Sequence, residues 1–245
     1  MGSDPCAVDA DLAANKKLIE QMLGDSSDIK IREFEFGKIS RRKALVLFVD
    51  GLADADIVNH QIIEPIMYSD RLGGRFAKEK NGSLQGILET LITIGEVKEV
   101  ETVAKAVDGV LTGDTALFID GEIKCFVLGS KGFSMRSVEQ PDSEVVVRGP
   151  KESFNENIRT NTSLLRRKIK NPMFRMESMT IGKRTKTPIE IVYIKNLVKP
   201  GLVDEIKKRL NRIDTDCILD SGYIEQYIED APYSIFPTVG HTEKP

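Results

Sequence analysis

Histidine, cysteine and long apolar runs are all scarce in this 245-residue chain, and each scarcity removes a class of function. The two histidines, His60 and His241, lie far apart and cannot supply a zinc site or a histidine-based triad. Three cysteines, Cys6, Cys125 and Cys217, form no CxxC pair. So sparse and odd a set points to a reducing compartment and against a disulfide framework. The longest uninterrupted apolar run is Ala44–Val49 (ALVLFV), far short of the roughly 20 residues that cross a bilayer, so nothing in the sequence reads as a membrane span. Also missing are GxGxxG, GxxxxGK[ST] and GxSxG, and with them the dinucleotide fingerprint, the P-loop and the nucleophile elbow. A net charge of -3 argues against a protein that coats nucleic acid.

What is present is an ordinary globular composition, 40% hydrophobic and 30% charged, in a chain long enough for one large domain or two small ones. The charge is uneven. Residues 1–135 carry 16 Lys and Arg against 22 Asp and Glu, a net of -6; residues 136–245 carry 19 against 16, a net of +3. That shift predicts two lobes, 6–135 and 136–245, joined by the Gly-, Ser- and Pro-rich stretch Gly129–Ser143. Met1–Pro5 reads as cloning residue and carries no weight in the fold reading.

Both halves mix helix and strand, which predicts a mixed α/β (α+β) fold of two lobes rather than a barrel. In the first half a helix runs from Asp9 or Asp11 to Gly24. Ile29–Phe36 alternates with period two as a half-buried strand, and Ala44–Val49 reads as a central strand covered on both faces. A helical stretch carrying Val58, Ile62 and Ile66 is broken or restarted by Pro65. Ser83–Ile92 reads as helix, Val97–Val103 as strand and Thr102–Leu111 as helix. Asp120-Gly121 turns a hairpin between Thr115–Ile119 and Ile123–Leu128. In the second half the sequence predicts a short strand at Val145–Val147 and a long helix over Pro150–Ile169, with Pro150 at its first position. Strands follow at Phe174–Ile181, Ile189–Ile194 and Cys217–Leu219, with helices over Gly201–Ile213 and after a Ser221 cap.

Within the long helix, Phe154, Ile158, Leu165 and Ile169 share an apolar stripe that also contains Asn161, about 80° wide in all. A buried amide needs a fixed partner, which is either neighbouring backbone or a ligand. The opposite side carries Arg159, Arg166, Arg167 and Lys170, a stripe fit for solvent, anionic headgroups or an acidic partner. Gly113-Asp114 and Arg148-Gly149-Pro150 stand at element junctions where amides can face an anion. Asp50, Asp114, Asp120 and Glu144 are carboxylates, but spacing pairs none of them, and no constellation reads as catalytic or metal-binding.

Several runs in order carry a resemblance: ALVLFVDGL (44–52), GD (113–114), FIDG (118–121), VRGPKESFNENIRTNTSLLRRKIKNP (147–172), SMTIGKRT (178–185), IVYIKNL (191–197) and FPTVGHTEKP (236–245). From Arg42 onward the chain resembles the N-terminal domain of the A subunit of spore germinant receptors, the GerA family. The resemblance implies two α/β lobes similar to those of solute-binding proteins. It also implies a piece cut just before a membrane domain, which follows the TERP-like Thr242-Glu243-Lys244-Pro245. The expected setting is the inner spore membrane, with this domain on the cytoplasmic, spore-core side. Germinant receptor B and C subunits are the expected partners, and the A subunit is expected to oligomerise; no cofactor, metal or nucleic acid is implied.

The function expected from this resemblance is non-enzymatic: signal transduction or subunit assembly during germination. The alternative is a small-molecule module holding an amino acid or sugar germinant between the lobes. The binding or signalling residues expected are Asp50, Arg148, Gly149, Asn161, Arg166 and Arg167. Arg148 and Asn161 would organise the region between the lobes; Arg166 and Arg167 would face a partner or lipid headgroups.

Overall fold

The computed structural model describes residues 6–37, 41–68, 94–132, 152–230, 235–236 and 239–245. By contacts the chain divides into one unit of Met1–Ser134 with Arg166–Pro172 and another of Met135–Leu165 with Met173–Pro245. Residues 166–172 therefore group with the first unit, although a division at 135/136 leaves them in the second half. Expected helix Ser83–Ile92, strand Val145–Val147 and most of the linker Gly129–Ser143 lie outside the described residues.

The first unit is a five-stranded sheet with helices on both faces. Its strands, β1 (Ile29–Phe36), β2 (Arg42–Val49), β3 (Val97–Val100), β4 (Thr115–Ile119) and β5 (Cys125–Leu128), lie in the order β1-β2-β4-β5-β3. Every described pairing is antiparallel, so the sheet contains no βαβ crossover among the described residues.

The continuous apolar run of β2 is explained by its two covered faces. Leu45, Leu47 and Val49 join one core with α1 (Leu12–Leu23) and α3 (Val103–Leu111). Ala44 and Val46 join the other with Val58, Ile62, Ile63 and Ile66.

Helix α1 begins at its Asp11 cap, whose side chain accepts from Ala13 N, and stops at Gly24 with φ 64°. Just ahead of the cap, Asn15 holds Asp9: its Oδ1 accepts from Asp9 N at 2.9 Å and its Nδ2 donates to Asp9 O at 2.6 Å.

The stretch ahead of Pro65 is a π-helix, Ile57–Ile63, followed by α2 (Glu64–Tyr68). A proline ring clashes with the carbonyl four residues earlier and donates no hydrogen bond, so the wider π turn before it relieves that clash. The Asp120-Gly121 turn is present, with Gly121 at φ 86°, but Ile123 is 68% exposed and the second strand starts only at Cys125.

In the second unit, β6 (Phe174–Ile181) and β7 (Thr187–Ile194) form a two-stranded antiparallel sheet. Ile181 and Ile191 pack there with Leu210 of α5 (Leu202–Leu210), Ile218, and Ile224 and Ile228 of α6 (Ser221–Ile228). Cys217–Leu219 forms no strand. Asp216 O accepts from Arg184 N and Thr185 N, and Thr187 Oγ1 donates to Ile218 O, so the segment is pinned across the hairpin turn with only Ile218 inserted. Asp220, rather than Ser221, occupies the cap position of α6.

The long helix is shorter than its sequence suggests: α4 covers Ile158–Lys168. Asn157 terminates it on the N-terminal side, its Oδ1 accepting from Arg159 N and Thr160 N, so Phe154 lies before the helix rather than on its apolar stripe.

Candidate functional site

Among the described residues Arg166 is a buried charge held by several hydrogen bonds, and it belongs to the first unit. Its side chain is 1% exposed, which corrects the expectation that it faces a partner or headgroups from a wet basic stripe. Its neighbours on that stripe differ: Arg159 and Lys170 are exposed and Arg167 is half-buried. The stripe fails because α4 ends here and the chain folds into the first unit's interior.

The partner is Asp28, the residue immediately before β1. Arg166 Nε donates to Asp28 Oδ2 at 2.7 Å and Nη2 donates to Oδ1 at 2.9 Å, a two-pronged guanidinium–carboxylate pair. Ser26 closes a triangle: its Oγ donates to Asp28 Oδ1 at 2.6 Å and accepts from Arg166 Nη2 at 3.2 Å. A longer bond, 3.4 Å, runs from Arg166 Nη1 to Asn171 O. Ser26 and Asp28 are themselves buried. Asp50 reaches the same place through its main chain, since its N–H donates to Asp28 O at 2.8 Å. Asp50 and Arg166 are thus brought together around a residue that sequence spacing gave no reason to select. The only available signal was physical: a buried arginine needs a carboxylate, and the carboxylate stands 138 positions away.

Chemically, this arrangement holds rather than reacts. A guanidinium stays protonated under all ordinary conditions and neither donates nor takes a proton in a reaction. Removing both ions from water costs several kcal/mol each, so such a pair adds little net stability but fixes geometry strongly.

Asn161 has the backbone partner that a buried amide requires. Its Oδ1 accepts from Asn155 N at 2.8 Å and its Nδ2 donates to Asn155 O at 2.6 Å. Arg148 and Gly149 lie outside the described residues. Gly113-Asp114 follows the C-terminal end of α3 rather than preceding a helix N-terminus, so the helix presents its negative end there and an anion site is not formed. Asp114 is buried, with Lys131 Nζ 3.4 Å from Oδ2 and, among the described residues, no hydrogen-bond partner on Oδ1.

Two units, each built on an antiparallel sheet, define a domain class already seen in a solved structure. The chain superposes with a TM-score of 0.72 and 31% identity on the N-terminal domain of the A subunit of the Bacillus megaterium spore germinant receptor GerK3, over 99% of this chain and 87% of that one. The family model described as Bacillus/Clostridium GerA spore germination protein matches residues 17–245, and the chain belongs to that family. It is 34% identical to spore germination protein KA of Bacillus subtilis over 98% of this chain and 43% of that protein. To the B. subtilis protein named uncharacterized membrane protein YfkQ it is 31% identical, over 97% of this chain and 45% of that protein. The chain therefore spans less than half the length of these relatives. Among the described residues, no helix is long and apolar enough to cross a membrane.

Proposed function

We propose that the chain is the soluble N-terminal domain of a germinant-receptor A subunit that makes and breaks no bonds, and that it passes on ligand state or organises subunits during germination. Its two lobes divide near 135/136. Its partners are the receptor's B and C subunits and further A subunits, and its place is the core side of the inner spore membrane. The name of the YfkQ relative supports the membrane setting. Asp50, Arg148, Gly149, Asn161, Arg166 and Arg167 are the residues whose replacement harms that role, with Arg167 the one left to meet a partner or headgroups.

The observation that carries this reading is the buried Arg166–Asp28 pair. It is an expensive, geometry-fixing contact with no catalytic competence, which suits a part that must hold one arrangement until a partner changes it.

The test replaces Arg166 by Met and Asp28 by Leu together, which strands neither charge, in the full-length receptor and scores germination beside receptor abundance. Loss of germination at normal abundance is expected. Normal germination at normal abundance overturns the reading, and so does a loss that merely tracks falling abundance.

A further inference from the structure

Outside the arginine network, the first unit carries an open groove of about 900 Å³ along β1, within the range of small-molecule sites. Its bed is apolar. Phe36 and Ile63 form the floor at 7% and 3% exposure, while Met67 and Tyr68 leave apolar surface open at 47% and 42%. Its rim is charged. Arg32 lies on the same face of β1 as Phe36, two pleats away, and gives one bond to Asn59 Oδ1 at 3.2 Å, which leaves further N–H groups to offer. Arg41 lines the groove and makes no ion pair among the described residues. His60 is paired with Glu64 at 2.9 Å and adds no net charge when protonated, whereas Glu35 offsets one arginine. With His60 protonated one positive charge is left over, and with it neutral the rim charges balance.

The wall opposite β1 is the π-helix, which turns Asn59, His60 and Ile63 to the groove. The π turn that relieves the Pro65 clash thus also brings these three side chains to the groove. An apolar bed beside two arginines, with a surplus cation when His60 is protonated, fits a ligand with an apolar tail and a single negative head.

We infer that this groove binds a small apolar-tailed carboxylate, at a site lying wholly inside the first unit and independent of the role proposed above. The tail rests on Phe36, Ile63 and Met67, and the carboxylate meets Arg32 and Arg41.

The experiment titrates the 245-residue chain with octanoate, acetate and octylamine, followed by calorimetry and by the His60 ring resonances. Saturable one-to-one octanoate binding is expected, with acetate and octylamine at least about tenfold weaker, since neither offers both tail and negative head. Octanoate should raise the His60 pKa, because an anion arrives beside the ring. Replacing Arg32 and Arg41 by Ala should weaken octanoate about tenfold, whereas Leu219→Ala, at an exposed leucine in the other unit, leaves it unchanged. Three results overturn the inference: octylamine matching octanoate, an unmoved His60 at octanoate saturation, or equal binding by the double arginine variant. If that variant does not fold, the His60 shift in the unaltered chain decides.

Discussion

Asn161 grips both the N–H and the C=O of Asn155, six residues back, and Asn15 grips Asp9 in the same way. In each case the residue between them caps the helix: Asn157 for α4 and Asp11 for α1. The shared pattern is Asx-x-Asx, three residues, then Asn. The two units enter a helix by one device even though the sequence shows no long repeat.

Replacing either asparagine by alanine leaves an amide and a carbonyl without their partner. Asn15→Ala and Asn161→Ala should each cost about 1–3 kcal/mol in urea unfolding, with the larger loss at Asn15, which is 2% exposed. Aspartate at either position keeps the acceptor but loses the donor, and should fall between wild type and alanine.

Breaking the Arg166–Asp28 pair from one side strands a buried charge. Arg166→Met or Asp28→Asn should destabilise by about 3–5 kcal/mol, while Arg166→Met combined with Asp28→Leu costs well under the sum. Arg166→Lys should rescue little, because an ammonium cannot reproduce the two-pronged geometry. Denaturant midpoints of the four proteins check this.

His60 predicts a pH dependence. The hydrogen bond that the ring donates to Glu64, with the carboxylate's charge as a smaller contribution, raises the imidazole above its ordinary 6.5. A raised folded pKa means that the stabilisation is complete below 6.5 and disappears as pH climbs through the higher folded value. An NMR titration should therefore show His60 of the Glu64→Gln variant losing its proton at lower pH than wild type. Coincident curves would remove Glu64 as the cause.

Thiol chemistry should separate the cysteines. Burial pushes Cys125 up to about 12, whereas Cys217 is exposed. With iodoacetamide at pH 8, mass spectrometry should find Cys217 alkylated in the native protein and Cys125 only after denaturation.

Local pattern made much of the scaffold legible. The period-two run of β1, the unbroken apolar β2 and the glycine ending α1 all appear as the residues suggest, because neighbours along the chain determine them. The errors arise where distant contacts outweigh local preference. Pro150 invites a helix start, but Asn155 and Asn157 offer side-chain acceptors that begin α4 later. Cys217–Leu219 has strand composition but is held by bonds to the β6–β7 turn. At the candidate site, Asn161 could be read as needing a backbone partner from its place in an apolar stripe. Asp28 could not be found, since its importance comes entirely from an arginine more than a hundred residues later.

The two units are unequally insulated from water. The first has a sheet sealed on both sides, whereas the second rests on a hairpin with a core of Ile181, Ile191, Leu210 and Ile218. Warming should therefore loosen the chain in sequence, with amide protons of β6 and β7 trading for deuterium well before those of β2 and β4. A spore protein so built would lose its carboxy-terminal half to heat damage while the amino-terminal half still held its shape.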